Sequence, residues 1–568
     1  MIQGPVFGNV PSPDFVRLPT RSADGIGRNA DTRSLLSVHR SRKGSTMPTP
    51  HAVTTDGATS TCDVVVLGAG GSGLAAAVAA AQCGARVIVL EKASAIGGST
   101  ARAVGAFAAP ATSLQRSAGI TDSAEEFITD IRSTNGAREE RENQALRRLF
   151  AFNAAATLEW LIELGVRFLG PFPEPPHRQP RTHLVLPNSK AYTAALLAAA
   201  RRLSVQIEVN SAADELLRDP SGAVIGVRSG PARYLACRGV VIATGDFSAS
   251  TELLRAGVGE DASTVPPVNA CNTGDGQLLG KSVGGQLVQM DTAFETLRYV
   301  PHTRPDLLKA MPAGPTFARL IAPFANHLPR SLFDFFTKGA MISWLAPSPA
   351  MYTNGAIHIS SSGERIADEE SSSALARAVA AHGNRSFMVF DSTVARAFSR
   401  GGEPIASFPG VAAAYLEDVH RFRTDLLTEA TTLEELATKL GIPPSALTTT
   451  VTRWNAAVDN SADLDHGRVH FGSGVRQGPF FALGPLQANI VLTNGGLAVD
   501  TDLRVLDDTD SPITGLFAAG SAGQGGLQLL NNGLHIGWAM TSGRLAGTSA
   551  ARSPIRTVGH KSLTSATT

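Results

Sequence analysis

Charge is scarce in this chain: only 17% of its 568 residues are Asp, Glu, Lys or Arg, and the two signs nearly cancel to +1. Such a balance provides no general field to draw the chain to nucleic acid or to an acidic membrane surface. Cysteine is scarcer still. Cys62, Cys83, Cys237 and Cys271 are widely spaced, with no CxxC pair and no histidine cluster nearby, which argues against both a metal site and a disulfide framework. A reducing, cytoplasmic setting is the expectation, with Cys83 in a first helix and Cys237 before a buried strand read as small core residues. Uninterrupted membrane-length apolar runs are missing too, and the N-terminal stretch has no secretory apolar core. What remains is 43% hydrophobic residues and 56 glycines, the composition of a large-cored globular chain with at least two domains and a small-molecule partner.

Residues 1–60 hold scattered Pro, Gly, Ser, Thr and Arg without apolar periodicity, so they cannot offset the entropy of ordering and are expected to be a disordered extension. Their Arg and Ser content invites a transit-peptide reading that Asp14, Asp24, Asp31 and the prolines fit poorly; Met47 is an alternative start. A disordered tail is expected over 554–568.

The organising stretch is Asp63-Val-Val-Val-Leu-Gly68-Ala69-Gly70-Gly-Ser72-Gly73, followed by the apolar run Ala85–Leu90 and Glu91. It reads as strand, tight turn, helix, strand. In this G-x-G-x-x-G pattern the first glycine permits the turn, the second lets backbone approach a pyrophosphate, and the third lets helix pack on strand. The phosphates then sit at the helix N-terminus. Glu91 is placed to accept from a ribose hydroxyl, and an NADP site would want a basic residue there.

After Glu91 comes Lys92-Ala-Ser-Ala-Ile-Gly97-Gly98-Ser99-Thr100, a loop suited to a longer cofactor. This segment resembles the second signature of the FAD-dependent oxidoreductase 2 family, which contains fumarate reductase and succinate dehydrogenase flavoproteins and 3-ketosteroid dehydrogenases. The resemblance implies FAD, bound non-covalently because Thr100-Ala-Arg102 lacks the histidine of covalent members. It also implies an α/β fold: a Rossmann-type, glutathione-reductase-like FAD-binding domain over 61–291 and 481–553, with an inserted α+β substrate cap over 292–480. The cofactor residues it carries over are Gly68, Ala69, Gly70, Ser72, Gly73, Glu91, Lys92, Gly98, Ser99, Thr100, Ala213, Gly245, Asp275, Gly520, Ser521 and Ile536. Asp275, in Asn272-Thr-Gly-Asp-Gly276, either caps a helix or reaches the cofactor.

Between these motifs, helical patterns cover Ala124–Ile131, Arg141–Leu164 and Tyr192–Leu203, with Asp122 and Ser123 as caps and Pro171–Pro176 as a linker or lid edge. Strands are expected at 205–209, 211–217, 223–227 and 239–245. The greasy, proline-broken segment 316–352 is open to three readings: an apolar lid over the substrate, a peripheral membrane contact, or cap core. Gly363-Glu-Arg-Ile-Ala-Asp368-Glu369 resembles a family turn that serves packing.

Family members move a hydride between flavin and a carbon beta to a carbonyl while a side chain handles the alpha proton. Where the fumarate reductases place clamping and proton-donating side chains, this chain has Ser373, Leu492 and Leu529-Leu530-Asn531. Gly533 and Ile536-Gly-Trp-Ala-Met-Thr541 match the oxyanion glycine and final helix of the 3-ketosteroid dehydrogenases, but their tyrosines are missing. The candidate catalytic residues are therefore Gly533, His535 and Tyr352, with Tyr299 and His302 behind them; serines 371–373 serve substrate or cap the next helix. The resemblance implies an oxidoreductase acting on a CH–CH bond of an apolar, cyclic ketone or steroid-like substrate, or on the matching enone. A flavin oxidase of another bond, a fumarate-reductase-like enoate reductase and a degenerate flavoprotein are the alternatives. No metal is expected, and the electron partner is undefined.

Overall fold

The run Val64–Leu67 is apolar on both faces, as a strand covered on both sides must be. In the computed structural model it ends the strand Thr59–Leu67, which lies between Val87–Leu90 and Ala232–Ile242, all parallel. The structure describes residues 58–302, 307–325, 329–344 and 346–557. The extension expected over 1–60 lies outside these except for 58–60, where Thr59 opens the first strand. Most of the expected tail also lies outside, but Arg556 is described, and its backbone N–H donates to Cys237 O.

The first sheet has eight strands, ordered Arg504–Leu506, Pro512–Ala518, Ala232–Ile242, Thr59–Leu67, Val87–Leu90 and Gln206–Glu208, with Glu215–Arg218 and Val224–Ser229 folded onto Ala232–Ile242 as an antiparallel side hairpin. The strand expected over 211–217 is confined to Glu215–Arg218, and the one expected from Gly239 begins at Ala232. The helices span Ala124–Asn135, Gln144–Glu163 and Lys190–Arg202. Ser123 is the N-cap, its hydroxyl accepting from Glu126 N at 3.1 Å, whereas Asp122 points elsewhere, to Arg181.

The stretch expected to form the cap holds a five-stranded antiparallel sheet: Leu287–Tyr299, Phe480–Leu497, Ser386–Asp391 and Ile357–Ser360 in that order, with Leu427–Ala430 also on Phe480–Leu497. One face packs Leu297, Tyr299, Met388, Phe390, Leu486, Ala488 and Ile490 against helices; the other packs Phe387 and Val389 beneath Leu436, Val451 and Trp454. The boundary expected at 292 falls inside Leu287–Tyr299, so the long strand pair runs continuously from cofactor portion to cap. Glu369 is buried between Arg365 and Arg468 and accepts from His358 N, a packing role consistent with the family turn.

A third sheet, of Ala106–Ala108, Thr182–Leu186 and Arg167–Phe172, overturns the linker reading of the proline-rich stretch. Pro171 and Phe172 complete its edge strand, and Glu174 beyond them is buried. Cys83 is corrected as well: it ends the helix Gly71–Gln82 at the C-cap and is exposed, while Cys237 is half-buried inside Ala232–Ile242.

Candidate active site

The turn after Leu67 and the start of the helix Gly71–Gln82 are welded together. A Cβ on Gly73 would stand 1.9 Å from Gly68 O, so no other residue fits there without moving backbone. Gly70, by contrast, faces open space: a Cβ built on it meets nothing within 4 Å. As N-cap it offers no side-chain acceptor to the helix, whose Gly71 N–H instead donates to Thr100 Oγ1 at 3.2 Å. The result is a helix N-terminus with its positive end toward a cleft.

That cleft encloses about 850 Å³ counted to its open mouth. Gly68, Gly70, Ser72, Glu91, Lys92 and Gly98 line it. So do Ser99, Thr100, Ala213, Gly245, Asp275 and Ser521. Glu91 closes one end, accepting from Ala69 N at 2.7 Å and Ala93 N at 2.8 Å, with lone pairs left for a diol. Lys92 Nζ pairs with Asp275 Oδ2 at 2.6 Å, which ties the second glycine loop to the Asp275–Ser282 helix; the cap of that helix is Gly274. Asp275 thus faces the cleft and does not cap.

Four of the expected cofactor residues shape the cleft without lining it. Ala69 is buried and spends its N–H on Glu91; Gly73 is sealed against Gly68. Gly520 accepts from Trp538 Nε1 at 3.1 Å, and Ile536 packs against the large core. The sequence reading missed a polar wall: Asn272 Nδ2 donates to Ser99 Oγ at 3.0 Å and to Asp246 Oδ1 at 2.8 Å, and Asn269 Nδ2 donates to Ser99 Oγ at 2.9 Å. Burial pushes the Asp246 carboxyl up. Thr244 Oγ1, also on the cleft, is buried without a partner. These strand-end positions are where an open parallel sheet binds ligands, and Asn272 stood unused in the motif read for Asp275. Open Gly70, the acid at the strand end and the orphaned Thr244 hydroxyl together fit the ribose and pyrophosphate of a dinucleotide.

The last helix, Leu534–Arg552, crosses the first so closely that a Cβ on Gly547 would lie 2.0 Å from Ala76 O. Its N-cap is Gly533, at φ +82°, a left-handed conformation that favours glycine. Gly533 O accepts from Ala108 N at 3.1 Å, which pins the helix N-terminus to the third sheet. The sheet is held in turn by His183: since Phe107 O can only accept, Nδ1 carries the proton and Nε2 accepts from Thr112.

His535 lies in the first turn, edge-on to Phe294 with centroids 6.5 Å apart. Burial lowers its pKa to about 4, against a small opposing pull from the Leu529 carbonyl, so the ring is neutral. Beside this turn Glu174 Oε1 accepts from Asn532 Nδ2 at 2.8 Å, while Oε2 is buried and unpartnered. Burial pushes the Glu174 carboxyl up to about 7, with Asn532 pulling the other way. Asn531 Nδ2 and both nitrogens of His177 are buried and unpartnered too. Sequence reasoning missed Glu174 because it sits among prolines; an acid inside the apolar run Pro171–Pro176 was the available signal.

Tyr352 is placed elsewhere. Its ring belongs to the cap core, its hydroxyl is 2.9 Å from His358 Nδ1 and its carbonyl accepts from Arg468. Tyr299 is buried in the same cluster, and His302 Nε2 is 3.9 Å from Asp425. Ser371 caps the helix Ser372–Ala381, accepting from Ala374 N at 3.4 Å, as one of the two readings had it. The greasy segment forms two helices, Pro315–Ala325 and Arg330–Trp344. Met341 and Phe333 cover the third sheet, while Leu320 and Phe324 are 65% and 69% exposed. No helix among the described residues is long and apolar enough to cross a membrane.

The family described as FAD binding domain matches residues 63–309 and 324–534. The chain is similar to a urocanate reductase of Eggerthella lenta, 26% identical over 91% of this chain and 78% of the relative. It is also similar to a 4-oxocyclohexanecarboxylate 2-dehydrogenase of Sinomonas cyclohexanicum, 27% identical over 87% of this chain and 93% of the relative. In fold it resembles the open conformation of a flavocytochrome c3 fumarate reductase, with a TM-score of 0.65 at 24% identity over 87% of this chain and 78% of that one. With its cleft fitted to a dinucleotide and most of its length matched, the chain belongs to the FAD binding domain family and is an FAD-dependent oxidoreductase.

Proposed function

We propose that the enzyme transfers a hydride between FAD and a CH–CH bond next to a carbonyl, in an apolar, cyclic ketone or the corresponding enone. The observation that carries this reading is the pair of oppositely shifted groups at the last helix: His535 held neutral, Glu174 held protonated toward neutral pH. Glu174 Oε2 is buried without a partner, and a carboxyl poised near neutral pH can both give and take a proton. FAD, when bound, supplies the hydride acceptor or donor. The chain supplies the rest. Gly533 N–H, for which the described residues offer no acceptor, and the helix N-terminus behind it hold negative charge on the substrate carbonyl oxygen. The Glu174 carboxyl donates the alpha proton in reduction and its carboxylate takes the same proton back in desaturation, while the neutral His535 ring stands at the same helix end. Phe294, edge-on to His535, shields one side of its ring. The relatives support both directions, one named as a reductase and one as a dehydrogenase of a cyclic ketone. Leu492 and Leu530 weigh against a fumarate clamp.

Anaerobic mixing with a panel of saturated cyclic ketones, followed at the long-wavelength flavin band, tests the reading. Bleaching by ketones is expected for a desaturase; reoxidation of dithionite-reduced enzyme by enones assigns the reductive direction. A flavin untouched by both panels overturns the proposal.

Glu174→Gln provides a separate check. Proton transfer by a placed side chain contributes roughly 100-fold or more, so kcat is expected to fall about that far, with loss of the rate limb near the carboxyl's pKa of about 7. Stability moves as well. The unfolded carboxyl ionises from near its ordinary 4.5, the buried one only near 7, so between these the native state holds the extra proton and stability falls as pH rises. The variant lacks that fall and gains on the parent by roughly 2–3 kcal/mol above pH 7. An unchanged pH–rate limb would remove Glu174 from proton transfer.

A further inference from the structure

A cleft that takes a dinucleotide must accept an anionic diphosphate, yet the charged side chains on its walls are three acids and one base: Glu91, Asp246, Asp275 and Lys92. Two of the acids are already answered. Glu91 accepts from the N–H groups of Ala69 and Ala93, and Asp275 accepts from Lys92 Nζ and from the Thr273 hydroxyl, each at 2.6 Å. Lys92 is engaged in that pair, so the lining residues hold no second cation to set against Asp246.

Asp246 lies just past Gly245 and is 4% exposed. Its Oδ1 accepts from Ser248 N at 2.9 Å and from Asn272 Nδ2 at 2.8 Å. The groups that face the carboxyl are Ser248, Asn272 and Thr493, all of them neutral. Asn272 Nδ2 also reaches Ser99 Oγ at 3.0 Å, and Gly98, next in the chain, lies so near the first helix that a Cβ on it would stand 3.3 Å from Gly70 Cα. Little more than the Asn272 side chain therefore separates Asp246 from the helix N-terminus that marks the place of the diphosphate. An ionised carboxylate there meets the phosphates as a like charge inside a partly desolvated cleft, whereas a carboxylic acid offers them a donor. Burial acts in the same direction, pushing the carboxyl up against the pull of its neutral neighbours.

We propose that Asp246 binds FAD as a carboxylic acid, its Oδ2 holding a proton in the complex and donating it as a hydrogen bond to an oxygen of the cofactor's diphosphate. The proton comes from solvent, and no bond of the cofactor is made or broken. FAD binding is thereby linked to pH. The complex holds a proton that the free protein, above the pKa of its own carboxyl, does not, so affinity falls as pH rises. The other titratable groups on the cleft are Glu91, Lys92, Asp275 and Cys271, and none of them is among the groups that face Asp246.

The test follows release of FAD from the full chain on dilution, read as the rise in flavin fluorescence, across roughly pH 6 to 9. Parent, Asp246→Asn, Asp246→Ala and Glu91→Gln are compared. ADP-ribose, which carries the same doubly esterified diphosphate without a flavin, is titrated calorimetrically into protein freed of FAD, in buffers of differing ionisation heat. Parent affinity for both ligands is expected to fall toward about tenfold per pH unit, with proton uptake on binding. Asp246→Asn keeps an acceptor for Ser248 and Asn272 and puts an N–H donor in place of Oδ2, so it should bind FAD without a pH slope and outbind the parent in alkali. Asp246→Ala lacks the donor and should bind about tenfold more weakly than Asp246→Asn at every pH. Glu91→Gln weakens binding and keeps the slope. The infrared carbonyl band of a protonated carboxyl, present in the parent's FAD complex and missing from that of Asp246→Asn, reports the proton itself. A parent whose affinity ignores pH, a slope that survives in Asp246→Asn or vanishes in Glu91→Gln, or an FAD complex without that band overturns the assignment. Should Asp246→Asn not fold, ADP-ribose binding to the parent without proton uptake refutes it alone.

Discussion

Gly70→Val protein is expected to purify folded and colourless. Gly70 has an extended backbone, φ −77° and ψ −169°, that any residue adopts, and a Cβ there touches no protein atom. The added methyls project only into the cleft between the helix N-terminus and the Gly98 loop, where a pyrophosphate would lie. FAD affinity should drop by about 100-fold or more, roughly 3 kcal/mol, while far-ultraviolet circular dichroism stays that of the parent. Gly73→Ala is the contrasting case. Its Cβ would sit 1.9 Å from a backbone oxygen that no rotamer change can move, so turn and helix must separate. That variant is expected to lose soluble protein as well as flavin. If Gly70→Val retained full flavin occupancy, the cleft would not be the pyrophosphate site.

The contrast explains what was legible in the sequence. The front of the site is made of contiguous motifs whose chemistry is local: a strand, a turn that only glycine permits, and an acid at the next strand end. Each could be read from spacing, and each lines the cleft or shapes it from behind. The fold class followed from the same motif and the resemblance. The back of the site is assembled across the chain. Glu174 reaches Asn532 across 358 positions. The one local hint at Glu174, an acid inside an apolar proline-rich run, does not say which partner the side chain meets. For Tyr352, an aromatic hydroxyl in an apolar stretch suits a catalytic role as well as a core one, and its packing in the second core cluster beside His358 is a tertiary fact.

The proline-rich loop carries a second consequence, for stability. Arg181 is fully buried; its Nε and Nη2 donate to the two oxygens of Asp122, both at 2.7 Å, and its Nη1 donates to Asp130. Phe127 lies beneath the guanidinium at 5.3 Å. Burial alone would raise the Asp130 carboxyl, but Arg181 and Arg178 outweigh it and hold it below its ordinary value. Arg181→Leu removes the charge that two buried carboxylates share and is expected to cost about 3–5 kcal/mol, read as a shift in thermal unfolding at fixed, saturating FAD. The pH dependence gives the argument its sign. In the parent, the depressed Asp130 contributes stability that is present above the ordinary carboxylate pKa and lost as pH falls through the folded value. In the variant, Asp130 loses that partner, its folded value rises, and the native state holds an extra proton at mildly acid pH. The deficit should therefore narrow as pH is lowered from 8 toward 5. A deficit that is constant over that range would mean that lost packing on Phe127, and not stranded charge, is what the substitution costs.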